Sequence, residues 1–188
     1  MATISKDNPC LFVTTVARNR LPVFRTDALK VVACQALDEA RRSAGFALFA
    51  YVIMPEHLHV LADGRLRASD TLRYLNGILS HRVIEFLKEG GFTSSLEKLR
   101  GGRKDRRHEY SLVDHHSGGL PVFSEEFFMQ KVNYIHLNPV REGLVARTVD
   151  YRWSSARQWW GQVVEDEPLR MDLDKIDWHR PREGAAFP

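Results

Sequence analysis

The stretch YVIMPEHLHVLADG, residues 51–64, carries two histidines, His57 and His59, one residue apart among strand-forming residues. Successive side chains on a strand point to opposite faces, so both imidazoles share one face and Leu58 takes the other. The two rings then lie roughly 7 Å apart along the strand, close enough to converge on one ion. Neutral imidazole ligates first-row metals and joins carboxylates or amides around Mg²⁺ or Mn²⁺. The same spacing also fits two hydrogen-bonded histidines on the solvent face of an edge strand. A zinc hydrolase would need further ligands. No H-E-x-x-H or C-x-x-C pattern supplies them, which leaves His108, His115 and His116 to draw on.

A second set of groups falls on SEEFFMQKVNYIHLN, residues 124–138. This reads as a helix with Ser124 as its N-cap, Glu125 and Glu126 suited to the helix dipole, and Pro139 expected to stop it. Phe128, Val132 and Ile135 form its core stripe. Gln130, Tyr134 and Asn138 form another stripe at spacings of one turn. Tyr134 is about 120° around the axis from the core residues, where its hydroxyl can face a neighbouring cleft. The amide oxygen of Asn138 follows one turn later. A boundary aromatic and a simple helix stop are the plainer readings of the same two residues.

The third set is cationic. Residues 98–108, KLRGGRKDRRH, bring Lys98, Arg100, Arg103, Lys104, Arg106 and Arg107 into one glycine-containing loop able to follow a phosphate backbone. Arg141, just after the tyrosine helix, could meet a phosphate or make a structural salt bridge. Trp153, Trp159 and Trp160 could stack on bases or pack the C-terminal segment onto the domain.

The elements that must position these residues follow from periodicity. Residues 10–19 read as a strand. Thr26 caps a helix that Gly45 ends. Residues 46–54 are a continuous apolar strand, broken at Pro55, and 57–63 resume as a strand. A second helix, capped by Ser69 or Asp70, runs to Gly90. Residues 109–114 suggest a further short strand, with HHSGGLP as a turn before the third helix. Strand, helix, strand, strand, helix, strand is the split βαβ order of an α+β, ferredoxin-like antiparallel sheet with helices on one face. Residues 1–161 read as one domain. Residues 162–188 read as an acidic, proline-containing C-terminal tail without periodicity.

Taken together, YVIMPEHLHVL, VNYIHLNPVREGLV and DYRWSSARQWW resemble the HUH-type single-tyrosine transposases, and most of all the branch associated with repetitive extragenic palindromes. The likeness runs from about residue 10 to residue 161. It implies a ferredoxin-like catalytic domain, with His57 and His59 as the paired metal-binding histidines, Tyr134 as the nucleophile and Asn138 as a third ligand. It implies Mg²⁺ or Mn²⁺ as cofactor and single-stranded or hairpin DNA as substrate. It also implies cleavage and strand transfer through a 5′-phosphotyrosine, in DNA transposition or the mobilisation of palindromic repeats. Glu56 departs from the pattern, since relatives often carry a small polar amide there. Members act as a monomer or as a homodimer. A hairpin-binding protein that has kept the fold without turnover is the alternative.

Composition agrees with a folded domain and excludes several classes. The 188 residues are 44% hydrophobic and 27% charged, with net charge +3, which is neither disordered nor fibrous and suits a polyanionic partner. Two cysteines, Cys10 and Cys34, are too few for a disulfide framework. The N-terminal residues show no apolar signal segment, and no run approaches membrane-spanning length, so a cytoplasmic, nucleoid-associated protein is expected.

Overall fold

The computed structural model describes residue 4 and residues 9–101, 109–114 and 117–176. The apolar run around Tyr51 forms β2 (Leu48–Ile53). Residues 54–56 turn the chain into β3 (His57–Ala62), and every residue of both strands is buried. β1 (Cys10–Val16) lies between β3 and a fourth strand, β4 (Gly118–Val122), giving the order β2-β3-β1-β4 with all neighbours antiparallel. This is the ferredoxin-like order. The crossovers are α1 (Asp27–Ala44) and α2 (Ala68–Glu89), the latter followed by the short α3 (Thr93–Leu99). Thr26 caps α1 by accepting from the Leu29 N–H, and Gly45 ends it at φ +73°.

The two faces of the sheet have different coverings. On β1, Thr15 donates to the Asn76 amide oxygen of α2 at 2.6 Å, so Leu11, Val13 and Thr15 face the packed pair α1 and α2. Phe12 and Thr14 point the other way, to the face that carries His57 and His59. That face is covered by α4 (Glu125–Arg141), whose Phe128 meets Phe49 of β2 at 5.6 Å between rings. The crossover helices thus share one face, and the tyrosine helix lies across the sheet from them.

Two boundaries differ from the sequence expectation. Residues 109–114 form no strand. They make single bridges at Tyr110 to Arg100 and at Val113 to Ala17, while the expected turn supplies β4. Glycine and proline weaken a strand, but β4 sits at the sheet edge, where Pro121 need not donate to an outer neighbour. Nor does α4 stop before Pro139. It runs to Arg141, and Gly143, at φ +68°, accompanies its end. So close to the helix end, a proline forfeits one backbone bond and little more. Asn138 is therefore inside the helix and buried.

The segment after α4 closes the β2 edge. Ser154 bridges Val52, the Ile53 N–H donates to the Trp153 carbonyl at 2.9 Å, and the Ser155 N–H donates to the Tyr51 carbonyl at 3.0 Å. α5 (Ala156–Trp159) follows, and the Trp159 indole donates to the Phe49 carbonyl at 2.8 Å. The chain beyond 161 returns to the sheet as well. The Asp172 N–H donates to the Leu48 carbonyl, its carboxylate accepts from the Leu48 N–H, and Leu169 and Ile176 are buried.

Candidate active site

β3 presents both histidines to the α4 side of the sheet, with their ring centroids 4.8 Å apart. Leu58 is 1% exposed on the opposite face, as strand alternation requires. The Tyr134 ring sits edge-on to His59 at 5.2 Å and to Phe12 at 5.9 Å. Phe12 itself stacks on His59 at 5.2 Å, so the aromatic wedge of β1 fixes the spacing between the imidazole and the phenol. Tyr134 is 37% exposed and its hydroxyl has no hydrogen-bond partner among the described residues.

The hydrogen bonding of the imidazoles is uneven. His59 Nδ1 lies 2.9 Å from Thr14 Oγ1, whereas its Nε2 is buried and has no partner among the described residues. Burial, then the charges of His57 and Lys131, push the His59 pKa down to about 3, so the ring is neutral near pH 7. A buried neutral nitrogen with no partner is the kind of donor that a metal ion takes, so His59 suits such an ion. His57 Nδ1 lies 3.1 Å from Glu56 Oε1, which gives the unexpected carboxylate at 56 a defined contact. Asn138 is buried one turn beyond Tyr134, without a hydrogen bond to either histidine. Among the described residues, no three of His, Cys, Asp and Glu converge as a metal site. His108, His115 and His116 lie outside the described residues.

The cations nearest the tyrosine are only partly those expected. The Arg141 guanidinium stands over the Tyr134 ring at 5.5 Å. Lys131, which sequence reasoning missed, lies 5.8 Å from the same ring and 4.8 Å from Phe12. Its position three residues before Tyr134, on the same side of the helix, was the available signal. In contrast, Arg100 is tied to Glu97 at 3.0 Å and Glu109 at 3.3 Å, and Lys98 is exposed at the end of α3. Arg103, Lys104, Arg106 and Arg107 lie outside the described residues. Of the tryptophans, Trp153 and Trp159 are packed into the domain, and Trp160 is 37% exposed.

Two other groups are excluded from the chemistry by their environment. Burial pushes the Cys10 and Cys34 thiols up to about 12, so neither supplies a thiolate near neutral pH. His136, two residues after the tyrosine, is fully buried and bonds Ser155 Oγ at 2.9 Å, a structural contact to the segment on the β2 edge.

The sheet order, with both crossover helices on one face, is that of a ferredoxin-like fold. No family model and no curated protein matches the sequence. Among solved structures, the chain is similar to a REP-associated tyrosine transposase bound to a REP hairpin, with TM-score 0.60 and 18% identity, over 86% of this chain and 83% of that one. It is also similar to a structure described as a transposase candidate from Deinococcus radiodurans R1, with TM-score 0.46 and 20% identity, over 68% of this chain and 88% of that one. At these identities the likeness is one of fold. Among the described residues, no helix is long and apolar enough to cross a membrane.

Proposed function

We propose that the protein is a tyrosine-nucleophile, single-strand DNA endonuclease and strand transferase, acting beside DNA hairpins as a transposase. One observation carries the reading. A solvent-reachable tyrosine packs against a buried, neutral imidazole, and neither its hydroxyl nor the imidazole Nε2 has a hydrogen-bond partner among the described residues. A core histidine has no use for an orphaned nitrogen, and a boundary tyrosine has no need to face one. The hairpin bound to the structural neighbour supports the substrate class.

In this mechanism His57, His59 and Asn138 would hold a divalent ion, Mg²⁺ or Mn²⁺. When bound, such an ion polarises the scissile phosphate and offsets charge in the transition state. Tyr134 Oη attacks phosphorus. The Tyr–O–P bond forms as the bond to the 3′ oxygen breaks. The phenol proton passes to solvent, and the departing 3′ oxygen takes one up. The product is a 5′-phosphotyrosine and a free 3′-hydroxyl. The bond energy is conserved, so a 3′-hydroxyl from another strand reverses the step and releases Tyr134. Lys131 and Arg141 flank the ring and present positive charge to the phosphate. Phe12 keeps the ring from turning away.

Covalent capture tests the reading. The protein is mixed with Mg²⁺ or Mn²⁺ and end-labelled single strands carrying the hairpins that flank its own gene, then run on a denaturing gel beside Tyr134→Phe. A metal-dependent shifted band that is absent from the variant is expected. Hairpin binding with no covalent band, across several hairpins and both metals, would instead identify a DNA-binding protein without turnover.

A further inference from the structure

We infer that Thr14 and Glu56 are positioning residues that select the free nitrogen of the paired imidazoles, Thr14 acting on His59 and Glu56 on His57. The inference rests on the reading of this pair as a metal site. Each Nδ1 is met by a protein oxygen, at 2.9 Å from Thr14 and 3.1 Å from Glu56, so both rings offer Nε2 as the remaining donor.

A carboxylate oxygen facing Nδ1 favours a proton on that nitrogen, so the neutral tautomer of His57 that suits this contact keeps its lone pair on Nε2. Glu56 is held where it can do this. Its carbonyl accepts from the Ala17 N–H at 2.8 Å, and Arg20 stands 4.0 Å from the same carboxylate oxygen. A hydroxyl can donate or accept, so Thr14 alone does not decide the tautomer of His59. Burial does. Were the proton on Nε2, it would be a buried N–H without an acceptor, which folded proteins rarely leave. With the proton on Nδ1, Thr14 accepts it and Nε2 keeps a lone pair.

Thr14 and His59 face each other directly across the β1–β3 ladder, so strand register sets their contact. The neighbouring Thr15 points to the other face and bonds Asn76. Adjacent threonines of one strand therefore serve different tasks, one orienting an imidazole and one anchoring a helix. A partner that fixes the tautomer and direction of a metal-binding histidine typically changes metal affinity roughly 10–100-fold.

The test begins with metal-free protein carrying ¹⁵N-histidine. Long-range ¹H–¹⁵N correlation near pH 7.5 is expected to show His57 and His59 both protonated at Nδ1. Thr14→Val, which keeps shape and removes the hydroxyl, is expected to mix the His59 tautomers and leave His57 unchanged. Glu56→Leu does the converse. Mn²⁺ affinity, read from free Mn²⁺ by electron paramagnetic resonance, is expected to fall roughly tenfold or more in each, and Thr14→Ser is expected to restore it. An Nε2-protonated His59 in the unaltered protein overturns the inference, and so does wild-type Mn²⁺ affinity in Thr14→Val. Absence of Mn²⁺ binding by the unaltered protein also overturns it. These readouts need no DNA. If tautomers and affinities behave as expected while covalent capture fails, the imidazole clamp stands and the nuclease reading falls.

Discussion

Replacing Ser155 by alanine should destabilise the fold markedly without touching the site. Ser155 is 0% exposed, and its hydroxyl accepts from the Tyr51 N–H at 3.0 Å and bonds His136 Nε2 at 2.9 Å. Truncation leaves both groups buried without a partner. Each such orphan costs about 1–3 kcal/mol. Local relaxation recovers part of the loss, so about 2–4 kcal/mol is expected, a large share of the roughly 5–15 kcal/mol that holds a typical domain folded. With a urea m-value of roughly 2–3 kcal/mol/M, the unfolding midpoint should fall by about 0.7–2 M. Tryptophan fluorescence reports the transition well, because Trp153 and Trp159 lie on either side of Ser155. Ser154→Ala is the control. Ser154 is equally buried, but its hydroxyl makes only two longer, local bonds, at 3.2 and 3.3 Å, so about 1 kcal/mol or less is expected. Equal effects from the two serines would refute the argument, because it assigns the cost to the link between α4 and the β2 edge.

Three further outcomes follow from the same geometry. Stability should fall on acidification. The folded His136 pKa is pushed by burial to about 3 from an unfolded value near 6.5, so the unfolded state binds the extra proton between those limits. Stability is full above about pH 6.5 and declines by about 1.4 kcal/mol per unit below it. His59 adds to the decline in metal-free protein, and a urea midpoint that is flat between pH 7 and 5 would contradict this. Lys131→Gln should slow covalent capture by roughly tenfold to hundredfold while hairpin binding changes far less, as measured by single-turnover capture beside a binding titration. In the salt dependence of DNA binding, Arg141→Gln should reduce the slope by about 0.7, the value for one phosphate contact on a single strand. Arg100→Gln, whose charge already faces Glu97 and Glu109, should leave it unchanged.

What the sequence made legible was set by periodicity and by chemistry close along the chain. Alternation put His57 and His59 on one face, and the four-residue spacing carried Tyr134 away from the core stripe, because strand and helix geometry are local rules. β4 was misplaced since its residues, GGLPV, have poor strand propensity and pair only because β1 offers an open edge. Thr14 could not be found. Its contact with His59 spans 45 positions and exists only through strand register. Tryptophans that look like base-stacking groups in isolation prove mostly structural, as does the WSSA stretch, because an edge strand needed covering. Arg100 shows the limit of counting charges, since Glu97, three residues before it, and Glu109, nine residues after it, already face its guanidinium.

The buried, unpartnered nitrogen of His59 also has a thermodynamic consequence. A buried polar atom left without a bond typically costs a fold about 1–3 kcal/mol, and a ligand that coordinates this nitrogen would offset such a cost only in the folded state. A divalent ion should therefore stabilise the protein by mass action, about 2.7 kcal/mol at a hundredfold excess over Kd. For a domain of this size that is a rise in Tm of roughly 5–10 °C. Thermal unfolding in Mn²⁺, against an equal ionic strength of Na⁺, measures it. His59→Ala removes both the orphan and the ligand, so it should shed the Mn²⁺ response while losing less stability in metal-free buffer than truncation of a well-bonded core residue would. Tyr134→Phe should keep the full response. A Mn²⁺ shift of equal size in His59→Ala would mean that the ion binds elsewhere, and the orphaned nitrogen would need another explanation.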